Sequence, residues 1–276
     1  MEIMEIIKEA IVFPSNDLAK LAIYIVLTVV AIFVAGIGMA FMSLGFAREF
    51  LWLILGIILF IVGLAVGFIV MGYHVTVIKS GIDHAESAPE FDWKGNLITG
   101  IKYLVLNIVY FIIPTIIVLI VGWATNVFGM ALNMVNRMMI ASASAPANTT
   151  VIVTDVVPRS LIVSFGTALM FTCIIAFVLF VIFSIIQTMG QSRLANTDSL
   201  GDSLNIIEAF KDIGRIGYGK VIAVILLVFI IIVVINLVLS GLNNFINGIS
   251  ILSIIISPYL AFFAARATGL LYSDVA

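Results

Sequence analysis

The chain has 276 residues, 63% of them hydrophobic, and only 28 charged side chains, 13 Lys and Arg against 15 Asp and Glu; its mean hydropathy is +1.29. A soluble domain carries about 25% charged residues, so a soluble fold is excluded and the length is better divided by the ~20 residues a membrane-crossing helix needs. A net charge of −2 offers no clustered basic face for nucleic acid, and two His with one Cys leave most metal and catalytic constellations without material.

The first segment, IIKEAIVFPSNDLAK, has helical periodicity, with Ile3, Met4, Ile7 and Ile11 opposite Glu2, Glu5 and Glu9. It lacks the basic start of a secretory leader, so no cleaved targeting peptide is expected. Stretches free of Asp, Glu, Lys, Arg and His then run over Leu21–Ala47, Phe50–Tyr73, Tyr103–Asn136, Ser160–Ser192 and Val221–Ala265. The last has 45 residues, which as one helix would be about 67 Å, roughly twice the hydrocarbon thickness. It must fold back, and the Gly, Asn and Ser between Ser240 and Ser250 mark the turn. Six transmembrane helices are predicted, near 21–46, 51–73, 103–126, 161–189, 220–239 and 249–271. Runs such as VILLVFIIIVVI are apolar on every face and show no period-2 alternation, which excludes a β-barrel reading.

With the N-terminus cytoplasmic, the inner segments hold Lys8, Lys20, Lys79, Lys94, Lys102, Arg193, Lys211, Arg215, Lys220 and Arg266, and the outer ones only Arg48, Arg137 and Arg159. That bias places both termini in the cytoplasm. The outer loop, 136–160, starts Ser/Ala/Pro-rich, includes TTVIVTDVV as a candidate short strand, and carries Asn148 in a glycosylation triplet.

A weak repeat follows from the segments before spans one, three and five. Each ends in a lysine directly before an apolar run: Lys20, Lys102 and Lys220. Before span three, Trp93, Leu97 and Ile101 share a face; before span five, Ile206, Ile207, Phe210 and Ile213 oppose Glu208, Lys211, Asp212 and Arg215. The expected unit is a short cytoplasmic amphipathic helix followed by a transmembrane hairpin, used three times within one membrane domain, 1–276, as 1–78, 83–192 and 202–276. Such helices lie at the headgroup boundary, and the three lysines are candidate headgroup contacts. The simpler alternative is that each lysine merely obeys the orientation bias.

The stretch Gly72-Tyr-His-Val-Thr-Val-Ile-Lys79, then Ala88-Pro-Glu-Phe-Asp-Trp93 and Gly100-Ile-Lys102, resembles the family catalogued as domain of unknown function 4013, and Ser257-Pro-Tyr with Ala264-Ala-Arg-Ala-Thr-Gly-Leu-Leu-Tyr272 is similar to its C-terminal end. The resemblance extends from about residue 10 to the C-terminus. It implies an uncharacterised multi-pass membrane protein, of archaea for the most part with some bacteria, and supplies no activity, cofactor or site.

Chemistry is sparse. Asp83, His84, Glu86, Glu90 and Asp92 match no EF-hand or zinc spacing and read as a solvated loop, so no metal or cofactor is expected. His74 reads as a headgroup-level residue. The span centres carry no ionisable group, whereas intramembrane catalysis and proton coupling need one. Uncharged polar groups remain: Asn107, Tyr110, Ser184, Gln187, Asn236, Ser253 and Ser257. They serve as helix contacts or, with the prolines Pro114 and Pro258, as a solute path. Gly63 and Gly67 form a GxxxG seam for another helix, within the chain or in a second copy. The leading expectation is a non-enzymatic membrane protein that organises lipids or partner proteins. The alternative is a transporter or channel for a small neutral or amphipathic solute, marked by a polar cavity between spans three, four and six.

Overall fold

The computed structural model describes residues 1–47, 49–144, 152–243 and 249–276, and among them every regular element is helical. In chain order these are α1 (Ile3–Asn16), α2 (Leu18–Ala47), α3 (Phe50–Ile82), α4 (Trp93–Ala124), α5 (Val127–Ser144), α6 (Val153–Val156), α7 (Arg159–Thr197), α8 (Leu200–Ser203), α9 (Ile206–Ile216), α10 (Tyr218–Asn243), a 3-10 turn (Ile249–Leu252) and α11 (Ser253–Tyr272). Six of them, α2, α3, α4, α7, α10 and α11, are long and apolar enough to cross a membrane. This is a multi-pass membrane protein.

Helix ends lie beyond the uncharged runs because caps and packing, not the first charge, stop a helix. Asp92 accepts the Gly95 N–H at 3.0 Å and opens α4 ten residues early. The segment before span three is therefore the start of α4 and not a separate amphipathic helix. Asp17 accepts the Lys20 N–H at 3.1 Å and separates α1 from α2. Gly217, at φ 107°, separates α9 from α10, a backbone conformation that an L side chain adopts only under strain. The expected outer loop, 136–160, is helical through Ser144, and 153–156 form a helical turn where a strand was expected. Asn148 lies outside the described residues.

The chain forms two compact units, residues 1–107 with 185–276, and residues 108–184. In the second, the Thr125 and Thr172 hydroxyls meet at 3.2 Å and the Phe111 and Phe180 rings lie 5.8 Å apart. In the first, α2 and α3 pack side by side through small residues. A Cβ added at Gly56 would stand 2.5 Å from the Met42 nitrogen, and one at Gly63 2.5 Å from the Ala35 nitrogen, whereas one at Gly67 would meet nothing. Gly63 thus serves an intramolecular seam whose second member is Gly56, not Gly67.

The most buried span is α11, which packs against α1 and α3. Ile6, Ala10 and Phe13 of α1, Tyr73, Val77 and Ile78 of α3, and Phe262, Phe263 and Leu270 of α11 form the core. It lies toward the Lys/Arg-rich ends of these helices. Stacking of Tyr73 on Phe91 at 3.8 Å and edge contact of Tyr24 with Phe262 at 4.9 Å extend it. Elsewhere the spans expose large apolar residues such as Ile32, Phe33 and Phe177, which is stable only where lipid covers them.

The seam makes a testable prediction. Gly56→Val should force α2 and α3 apart and lower stability by ~2 kcal/mol or more, while Gly67→Ala should leave the melting temperature of the detergent-solubilised chain unchanged.

Candidate functional site

Each of the three entry lysines is held by a carboxylate. Lys20 Nζ lies 2.8 Å from Glu90 Oε1 and 3.3 Å from Asp17 Oδ2, and donates to the Ala88 carbonyl at 2.6 Å. Lys102 Nζ meets Asp198 Oδ1 at 2.8 Å and the Asp198 carbonyl at 2.7 Å. Lys220 pairs with Asp274, which also receives the N-terminal ammonium at 3.4 Å. The pattern recurs: the lysine at the start of spans one, three and five is joined to an acid that follows spans two, four and six. Hydrogen bonds from the Lys20 backbone N–H, helped by its ammonium, hold the Asp17 carboxyl below the ordinary range. At Asp274 burial acts upward, but the bond and charge of Lys220 and the N-terminus outweigh it and hold the carboxyl low.

Two further ionic contacts each centre on one buried charge, and neither was legible as such. Arg266, only 2% exposed, lies inside α11. Its Nη1 donates to the Ser80 carbonyl at 2.5 Å, its Nη2 pairs with Glu9, and its guanidinium stands 4.4 Å over the Phe13 ring. Its Nε is buried with no partner among the described residues. One side chain thus ties α1 and α3 to α11. Asp212, expected on a solvated face of α9, is 1% exposed. It accepts from Arg193 Nη1 at 2.8 Å, Arg215 Nη1 at 2.7 Å and the Tyr272 hydroxyl at 3.1 Å. The signal for Arg266 was a lone cation among Ala, Phe and Gly in AFFAARATG.

A neutral polar cluster lies within the first unit. Gln187 Nε2 donates to Asn107 Oδ1, and Gln191 Nε2 approaches the same oxygen at 3.5 Å. The His74 and Tyr103 rings are 6.0 Å apart. Beside the cluster, His74, Thr188, Gln191 and Thr268 face Val224, Ile225, Val228, Phe229 and Ile232 across a cavity of about 250 Å³. It lies between α3, α7, α10 and α11, hence among spans two, four, five and six rather than three, four and six. Of the polar residues singled out in the sequence, Asn107 and Gln187 come together here. His74 was expected at headgroup level, and Gln191, Thr188 and Thr268 were not singled out.

The other candidates are placed elsewhere. Tyr110 and Pro114 are buried residues of α4 that belong to the second unit. Asn236 is exposed and donates to the Ile232 carbonyl at 2.8 Å within α10. Pro258 is buried inside α11. The acidic loop is consumed by structure: Asp83 pairs with Lys79 at 3.3 Å, Glu90 with Lys20, and Asp92 opens α4.

Removing one partner of a buried pair leaves an uncompensated charge, at a loss of about 3–5 kcal/mol, whereas an exposed pair contributes at most about 1 kcal/mol. Asp212→Ala should therefore lower the unfolding midpoint steeply. Lys211→Ala, which breaks only the exposed 2.6 Å pair with Glu208, should leave it nearly unchanged in the same thermal denaturation series.

Comparison with known proteins gives a family and nothing more specific. No curated protein matches significantly, and no solved structure does. The model of the protein of unknown function family DUF4013 matches residues 55–244. The matched span includes the Gly-Tyr and Pro-Glu-Phe stretches and stops short of the similarity expected at both ends. Covering more than half of the chain, it shows that this protein belongs to the DUF4013 family.

Proposed function

We propose that this protein is a non-enzymatic organiser of lipid at the cytoplasmic face of the cell membrane, built from three transmembrane hairpins with both termini inside. The observation that carries the reading is the mixed outer surface of α9. Its buried residues are Ala209, Asp212 and Ile213, and its exposed ones include Ile207, 69% exposed, and Phe210, 47% exposed, beside the cations Lys211 and Arg215. Large apolar residues left exposed among cations, next to a membrane span, fit the headgroup boundary and not water. The first helix has a similar outer side in Met4, Ile11 and Val12.

The ion pairs redistribute the roles expected for the lysines. Lys20, Lys102 and Lys220 close the three hairpins, each on its own carboxylate. Contact with anionic headgroups passes to Lys8 and Lys94, which are exposed and make no ion pair with any described residue. A lysine near an anionic surface contributes about 1 kcal/mol. A solute-transport reading is favoured by the neutral cluster of Asn107, Gln187 and Gln191 beside a cavity; flux of a small neutral solute into proteoliposomes would support it.

Purified full-length protein should retain anionic lipid at a higher mole fraction than the bulk membrane, and Lys8→Glu with Lys94→Glu should lower that enrichment about tenfold, read by lipid mass spectrometry. A retained pool identical to bulk lipid for both chains would refute the organiser role.

A further inference from the structure

The cavity between α3, α7, α10 and α11 has two unlike walls. One carries His74, Thr188, Gln191 and Thr268; the other, from α10 alone, carries Val224, Ile225, Val228, Phe229 and Ile232. Residues 224–232 of α10 rise about 12 Å. Among them Val224 is buried, at 1% exposure, and Phe229 is exposed, at 60%. Val224 and Leu271 are thus buried lining residues, and the exposed lining residue Phe229 is apolar. No Asp, Glu, Lys or Arg lines the space. Among the described residues the His74 imidazole and the Thr268 hydroxyl make no hydrogen bond, and the 3.5 Å approach of Gln191 to Asn107 is at the limit of one.

A polar wall of neutral donors and acceptors asks for a neutral, hydrogen-bonding headgroup. A charged headgroup placed there would be buried without a counter-ion, which is strongly unfavourable. An apolar wall leading outward asks for a hydrocarbon tail. The volume is below the roughly 300–1,000 Å³ of pockets that enclose a whole drug-sized ligand, so the space takes the head and the first part of a tail whose remainder lies along the outside of α10.

We infer that this cavity is a binding site for a lipid alcohol, an amphiphile with an uncharged hydroxyl headgroup, held by His74, Gln191 and Thr268 with its tail leaving over Phe229. The inference rests on the proposal that the chain organises lipid and names which lipid one site selects.

The test uses the full chain in nanodiscs containing a photoactivatable diacylglycerol or, separately, a photoactivatable phosphatidylglycerol, with labelled residues mapped by mass spectrometry. Diacylglycerol should label residues 224–232 and 264–271, at least fivefold more than phosphatidylglycerol, and unlabelled diacylglycerol should compete. Thr268→Val, nearly isosteric, should reduce that labelling three- to tenfold while the melting temperature stays the same. Val228→Trp should fill the space and abolish it, and Leu226→Trp, on the exposed side of α10, should not. Equal labelling by the two lipids, or labelling insensitive to both Thr268→Val and Val228→Trp, would overturn the site. Absence of diacylglycerol labelling at residues 224–232 and 264–271, with phosphatidylglycerol labelling confined to α1 and α9, would overturn the site while leaving the lipid-organising reading standing.

Discussion

The guanidinium of Arg266 is the contact on which the rest of the first unit depends. A cation held inside an apolar span must be neutralised on the spot, and three elements supply what it needs: the Glu9 carboxylate and Phe13 ring from α1, and the Ser80 carbonyl from α3. The requirement dictates that α1 fold back onto α11 instead of trailing into solvent. It also brings α3 within backbone contact of α11, where Gly81 and Gly269 leave room for the approach.

The same constraint, that ions be paired where water is scarce, recurs at lower stakes around this end of the molecule. Asp212 draws α9 inward together with Ala209 and Ile213, while Ile207 and Phe210 of that helix stay exposed. Lys20, Lys102 and Lys220 each close on an acid beyond the following span. Once these charges are satisfied internally, what remains inside the first unit for a ligand is neutral: an imidazole, an amide and a hydroxyl opposite a greasy wall. Architecture and the proposed ligand preference rest on one rule, because the ions are already committed to holding helices together.

The six crossings were legible because an uncharged, apolar run of 24 or more residues is long enough to span the hydrocarbon core and too greasy to face water. Their ends were not, since reading a boundary at His74 or Lys102 assumes that polarity stops a helix, whereas Val75, Val77 and Ile78 are buried and carry α3 on to Ile82. Family membership was legible from the Gly-Tyr and Pro-Glu-Phe stretches, which fall within the matched residues. In the site, Asn107 and Gln187 stood out as polar groups in apolar spans, but their pairing and the company of His74, Gln191 and Thr268 depend on how α3, α4, α7 and α11 meet. Arg266 was counted only as a cation of the inner side and Asp212 only as part of a charged helix face, yet both are buried against partners. Position along the chain gives the side of the membrane on which a charge lies, and only packing decides whether it faces water or a partner.

The most direct test of this account is a double-mutant cycle on Arg266 and Glu9, followed by thermal unfolding of the full chain in detergent. Glu9→Gln should leave the guanidinium uncompensated and destabilise by about 3–5 kcal/mol, and pairing it with Arg266→Met should restore most of the loss. A Glu9→Gln chain that unfolds at the wild-type temperature would contradict the claim that this ion pair holds the unit together.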